Sequence, residues 1–163
     1  MVTQDRIKEL FLVDDDFNLV WRKNQGHVKA GSLAGQVHSK NGYLYVGVDG
    51  KKHRAHRLIW VLYNGDCIAK TDIIDHIDGN KLNNNIGNLR LATRSQNMHN
   101  RSHQKNNKLG VKNVRWHKKS GTYQVRVNKN NRSYHIGYYK NLGDADEAAK
   151  KARKEIHGEF SHD

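Results

Sequence analysis

Between Ile73 and Asn97 the chain reads IIDHIDGNKLNNNIGNLRLATRSQN. An adjacent carboxylate and imidazole, Asp75 and His76, precede two carboxamides, Asn88 and Asn97, with an Asn-rich loop and a short apolar run between. Side chains of these types at these separations suit phosphodiester hydrolysis at one metal ion. The unaided reaction is extremely slow, and enzymes are asked for accelerations of up to about 10¹⁷-fold. A general base supplies only about 10²–10⁴ of that, so a divalent cation is the obvious source of the remaining charge stabilisation. His76 is suited to be the base, since a neutral imidazole near pH 7 takes a proton from water. Asn97 offers a neutral oxygen that, with one carboxylate, suits a hard cation such as Mg²⁺. Asn88, at the end of the loop, is placed to tie the loop backbone to His76 and fix its ring. Asp75 should point to the opposite face of a strand from His76. Both serve one site only if the backbone bends there, or if they flank metal and water differently. Taken singly, Asp75, Asn88 and Asn97 would read as turn and cap residues. Asn80, Asn83, Asn84 and Asn85 read as loop solvation.

The positioning elements are short. Ile73-Ile74 with Ile77, and Leu89 to Ala92, predict two strands around the polar loop, and Thr93 or Ser95 could cap a following helix. Upstream, Leu10 to Val13, Leu19 to Trp21 and Tyr43 to Val48 read as strands. NGYLYVGVDGKKHRAHR predicts a hairpin turning at Asp49-Gly50. Ala55 to Gly65 looks helical, with Leu58, Ile59, Leu62 and Tyr63 on its apolar face and Gly65 as the stop. His56 at that helix start reads as structural; support of the site or a phosphate contact is the alternative for it and for Arg57. Residues 1–65 are therefore expected to be a small α+β lead-in that props up a catalytic module at 66–101. Residues 102–109 read as a linker. Beyond it, Val111 to Trp116, Tyr123 to Val127 and Ser133 to Tyr139 predict three strands separated by Ser120-Gly121 and Asn130-Asn131 turns. An Asp144-x-x-Glu147 helix start follows. That helix carries Ala145, Ala148, Ala149, Ala152 and Ile156 on one side, small enough to lie close against a three-stranded sheet. The fold class expected is α+β.

Charge and composition narrow the partners. The chain has 163 residues, 36% of them hydrophobic, and a net charge of +13 from 29 Lys and Arg against 16 Asp and Glu. The excess is uneven: residues 101–163 hold 15 basic and 6 acidic groups, whereas residues 66–100 hold 4 of each. Such a basic tail favours a polyanion through counterion release. A membrane surface would want a basic amphipathic helix with a greasy face, and the C-terminal helix has a small, Ala-rich one. No apolar run approaches the roughly 18 residues of a membrane span, and the first residues lack the apolar run of a signal peptide. Cys67, the single cysteine, excludes an internal disulfide and a Cys-based structural zinc and is expected to be inert. Trp21, Trp60 and Trp116 are expected in cores. Nucleic acid is the expected partner, in a cytoplasmic setting (a bacterial host cell if the chain is phage-encoded).

The Asp75-His76, Asn88 and Asn97 segment resembles the HNH nuclease motif in its His-Asn-Asn variety, known from phage and intron-encoded endonucleases. AHRLIW, DHIDGNKLNN and NLRLATRSQN resemble the phage branch, and the match covers about residues 40–101. The resemblance implies a ββα-metal core holding one divalent metal, Mg²⁺ with Mn²⁺ as the alternative. It further implies that His76 activates water, that Asp75 and Asn97 bind the metal, and that Asn88 orients the histidine and the loop. The third motif position is Asn97 in place of His. His99, two residues on, lies about 200° round a helix, which favours Asn97 as the ligand.

Residues 108–160, with the domain itself expected at 110–160, resemble the AP2 DNA-binding domain, a three-stranded sheet packed on one helix, through KLGVKNVRWHKKSGTYQVRV, SYHIGYY and DADEAAKKARKEIHGEF. Strand alternation puts Val114, Trp116, Val125, Val127 and Ile136 toward the helix. It leaves Arg115, His117, Gln124, Arg126, Asn128, Ser133 and His135 outside. The resemblance implies that this outer face enters the major groove of double-stranded DNA, with Arg115 and Arg126 as base readers. Lys105, Lys108, Lys118 and Lys119 suit phosphates. Together these readings point to a homing-type, site-guided DNA endonuclease, monomeric or weakly dimeric, that nicks one strand per active site. The rivals are a DNA-binding regulator with a decayed nuclease site, and a nuclease acting on RNA or without sequence preference.

Overall fold

A computed structural model describes residues 2–65, 69, 71–100 and 107–161. Two compact units result, Met1–Ala92 and Thr93–Asp163. Cys67, Lys105 and most of the expected linker lie outside the described residues. Among the described residues, no helix is long and apolar enough to cross a membrane.

The first unit opens with α1 (Gln4–Leu10), where the Thr3 hydroxyl accepts from Arg6 N at the N-terminus and Ile7 is fully buried. Then come β1 (Phe11–Val13) and β2 (Leu19–Trp21), an antiparallel pair. β3 (Gln36–Val37), β4 (Leu44–Val48) and β5 (Lys51–Arg54) form a second antiparallel sheet. The β4–β5 turn is the expected Asp49-Gly50, with both residues at positive φ (48° and 74°), the geometry for which Asp-Gly is favoured. α2 (Ala55–Asn64) ends at Gly65, φ 84°. β6 (Ile73–His76) pairs with β7 (Leu89–Ala92) across the polar loop, whose last turn, Ile86–Asn88, is 3₁₀.

Ile7, Phe11, Leu19, Val46, Leu58 and Ile59 form one buried cluster that also takes in Ile74 of β6 and Leu89 of β7. Residue 65 is thus no boundary between cores: the lead-in and the β6–β7 hairpin share one interior. The physical reason is size. A two-stranded hairpin is marginal alone, so Ile74 and Leu89 are buried against α2 and the strands before it. Trp21 stacks at 4.6 Å on Phe11, and Trp60 packs against the same cluster half-buried.

The second unit starts with α3 (Arg94–His99), capped by Thr93 in a reciprocal capping box with Gln96, which satisfies two otherwise orphaned N–H groups. β8 (Val114–His117), β9 (Thr122–Lys129) and β10 (Arg132–Tyr139) make an antiparallel sheet with β9 central. α4 (Leu142–His157) lies on it, with Ala145 and Ala149 fully buried against Val114 and Val125. The helix begins three residues earlier than the Asp144 start expected: Asn141 is the cap and accepts from Asp144 N at 2.8 Å. Trp116 departs from expectation. It is on the helix-side face beside Tyr123 but 47% exposed, because it lies along β8 beyond the Val114–Ala145–Ala149 cluster.

Candidate active site

Three side chains of the first unit, those of Asn84, His56 and Tyr43, converge on His76. The ring is 4% exposed, and its Nε2 lies 3.2 Å from Asn84 Oδ1. His56, from the first turn of α2, meets it edge-on with ring centres 4.9 Å apart, and Tyr43 lies 5.3 Å from His56 and 6.1 Å from His76. Arg54 and Lys81 flank the Tyr43 ring at 4.8 and 5.0 Å, so two exposed cations border the cluster. Burial pushes the His76 ring below the ordinary histidine value; the Asn84 bond and the Asp78 and Asp75 charges oppose that only in part. A ring so placed is neutral at pH 7 and able to accept a proton.

Asp75 keeps different company, as the strand pleat requires. It faces its cross-strand partner Arg90, whose Nε and Nη2 donate to Asp75 Oδ2 at 3.2 and 3.1 Å. Both side chains are largely buried. The expected metal ligand therefore already has a guanidinium at one oxygen.

Asn88 governs the loop, not the ring. Its Oδ1 accepts from Asp78 N, and its Nδ2 donates to Asp78 Oδ1 and to Asn83 O, both at 2.9 Å. Asp78 closes the tie by accepting from Asn83 Nδ2 at 2.7 Å. Burial works to raise the Asp78 carboxyl, yet the bonds from Asn83 and Asn88 outweigh it and hold it below its usual value. The loop asparagine whose side chain bonds to the His76 ring is Asn84, 2% exposed. The other loop asparagines explain the composition: Asn80, Asn83 and Asn85 each accept from a backbone N–H two residues on, the Asx turn that compact polar loops use. Arg57 is structural, donating to Asp72 O and Ala69 O.

Asn97 stands on α3, in the second unit; the side chain of His99 lies outside the described residues. Among the described residues, no three His, Cys, Asp or Glu side chains stand close enough to hold a metal. The donors in question are one carboxylate and one carboxamide oxygen, a hard-oxygen set that fits a cation keeping several waters.

The buried histidine next to His76 has a measurable consequence. Burial, then the neighbouring His76, hold His56 down at about 3 against an ordinary 6.5. Between those values the unfolded chain binds a proton that the folded chain refuses, so stability falls as pH falls. Thermal midpoints should drop on acidification below about pH 6.5, with at most about 1.4 kcal/mol per pH unit from this one proton. His56→Phe should flatten that slope, and an unchanged slope would refute the assignment.

On the second unit, Arg115, Arg126, Asn128, His135, Lys118 and Lys119 are exposed and His117 partly so. Gln124 is not available as expected. It points to the outer face but is 2% exposed, because β9 is central and its neighbours close over it. Arg115 Nε donates to its Oε1 at 2.7 Å, and its Nε2 donates to Tyr138 OH at 2.9 Å. Tyr138 also meets the rings of His117 and His135 at 5.2 and 4.8 Å. Alternation counted from Ile136 sends Tyr138 the other way; a register shift between His135 and Gly137 re-aims it.

Residues 53–99 match the family model described as HNH endonuclease. An uncharacterized HNH endonuclease of Acanthamoeba polyphaga mimivirus is 38% identical over 125 residues, 75% of this chain and 62% of that protein. Protein 3.8 of Escherichia phage T7 is 33% identical over 111 residues, 68% of this chain and 90% of that protein. A solved structure of DNA binding and cleavage by the HNH homing endonuclease I-HmuI shares 29% identity. It covers 56% of this chain and 51% of that one, with a TM-score of 0.42. This chain thus spans 62% of the mimivirus relative and about half of the solved chain.

Proposed function

Residues 53–99 belong to the HNH endonuclease family, and from that premise we propose that the chain is a metal-dependent DNA endonuclease. It hydrolyses one phosphodiester bond per active site, a nicking reaction of homing type guided by the second unit. The observation that carries this reading is His76: a buried, neutral imidazole at the end of β6, held by Asn84 above a loop tied at Asn88.

In this reaction His76 takes the proton of the attacking water as the water oxygen bonds to phosphorus and the leaving oxygen departs. The HNH resemblance implies Asp75 and Asn97 as the residues that would hold the metal, Mg²⁺ or Mn²⁺, whose charge would offset the negative charge of the reacting phosphate. Arg54 and Lys81 add positive charge on the rim of the His76 cluster, suited to draw in the phosphate backbone. The AP2-like outer face supplies the site preference.

A supercoiled-plasmid assay tests the proposal. Nicked circles should appear before linear DNA, and only with the divalent cation. Binding without nicking across Mg²⁺, Mn²⁺ and a range of salt would sink it, and is what a regulator with a decayed site would give. For guidance, Arg115→Ala should cost about 1–3 kcal/mol of binding and relax preference at one base, whereas Lys118→Ala should weaken all sequences alike and lower the salt slope by about 1. Equal effects of both substitutions on all sequences would remove Arg115 as a base reader.

A further inference from the structure

We propose that Asn84 is the positioning residue of His76, and that Asn88 acts on the histidine only through it. The proposal rests on His76 being the base of the proposed reaction, but concerns which ring nitrogen carries the hydrogen.

A carboxamide oxygen can only accept a hydrogen bond. With Asn84 Oδ1 at 3.2 Å from Nε2, the neutral ring keeps its hydrogen on Nε2 and leaves Nδ1 bare. Nδ1 is then the nitrogen that receives the water proton. As it does so the ring gains charge, and the Nε2–H bond to Oδ1 becomes charge-assisted and stronger. Asn84 thus favours the protonated ring formed during the reaction over the resting one, which is how an orienting acceptor behind a catalytic histidine works.

The second observation is the other end of the same amide. Asn84 Nδ2 is buried and has no hydrogen-bond partner among the described residues, whereas buried donors in proteins are normally satisfied. Turning the amide over would satisfy Nδ2 on a bare Nε2 and move the ring hydrogen to Nδ1, so the two arrangements make opposite predictions.

The link to Asn88 is one hydrogen bond and one peptide unit. Asn88 Nδ2 holds Asn83 O at 2.9 Å, the carbonyl of the peptide that joins Asn83 to Asn84. Asn83 is anchored in turn on Asp78 Oδ2. The side-chain bonds of Asn88 run to Asp78 and Asn83, none to His76. Asn88 therefore sets the peptide from which Asn84 reaches the ring.

Full-length protein labelled with ¹⁵N in its histidine rings, kept metal-free at a pH where the rings are neutral, reads the tautomer without any cleavage. His76 signals are assigned by their loss in His76→Gln. Wild type should show a hydrogen on Nε2 and a bare Nδ1. Asn84→Leu, similar in size and without an acceptor, should mix the tautomers; Asn84→Asp, which keeps the acceptor, should restore them. Asn88→Ala should shift the ring in the same direction as Asn84→Leu. In nicking assays Asn84→Leu should lower kcat about 10–100-fold with KM within about twofold, and Asn84→Asp should recover most of the loss. A bare Nε2 in wild type, or an unchanged tautomer in Asn84→Leu, overturns the proposal. Should Asn84→Leu fail to fold, an unmoved ring in Asn88→Ala overturns it equally. A wild type that keeps Nε2–H yet never nicks DNA overturns the role of His76 as base and leaves the hold of Asn84 on the ring standing.

Discussion

Exchange of His76 for glutamine is expected to lower kcat for plasmid nicking by on the order of 10²–10⁴-fold, with DNA binding unchanged within about twofold. The size follows from what is removed and what is left. Glutamine is close to the imidazole in bulk and can still bond to Asn84, so the packing around Tyr43 and His56 is kept. It cannot take a proton near neutrality, so the attacking water loses its acceptor. Metal charge and substrate positioning stay, and they set the residual rate. The measurement is single-turnover nicking at saturating enzyme and Mg²⁺, beside a binding titration at the same salt. A loss below about tenfold would mean that another group, or hydroxide from solution, accepts the proton.

Much of this site was legible because the chemistry is written in neighbouring residues. Asp75, His76 and Asn88 sit on the two expected strands and the loop between them, and the Asp49-Gly50 turn and the Gly65 stop follow from local backbone preference alone. What was not legible depends on contacts across the chain. His56 comes 20 residues before His76, and nothing in a helix start says that its ring will meet another imidazole edge-on. Asn84 looks like any of its loop neighbours by type; only burial separates it from Asn80 and Asn85, which are exposed and close Asx turns. A buried asparagine in a polar loop has a partner to serve, but its identity is a matter of three-dimensional register. Gln124 failed for the opposite reason. Alternation assigned it the right face, but cannot say that Arg115 and Tyr138 close over a central strand. α1 was missed because seven residues capped by Thr3 are too few to show a period, and the β10 register shift because a bulge breaks the alternation by which strands are read.

The second large effect is expected at Asp75, and here two roles pull on one carboxylate. Asp75 Oδ2 accepts two bonds from Arg90 inside the first unit, and the proposed reaction also asks it to bind a cation. Asp75→Asn separates the roles. The amide oxygen can still accept from Arg90, but the negative charge that balances a largely buried guanidinium is gone, which should cost on the order of 3 kcal/mol of metal-free stability. Nicking should fall to background at Mg²⁺ concentrations that saturate wild type. The decisive reading is the change in unfolding free energy on adding Mg²⁺. In wild type, a cation at 100 times its Kd stabilises the fold by about 2.7 kcal/mol, and Asp75→Asn and Asn97→Ala should both lose most of it. His76→Gln, which removes a base and no ligand, should retain it. Because Arg90 and the metal would draw on the same carboxylate, Arg90→Leu should be less stable without metal yet gain more from it than wild type does. If Mg²⁺ stabilises Asp75→Asn as much as wild type, the carboxylate serves Arg90 alone and the metal is held elsewhere.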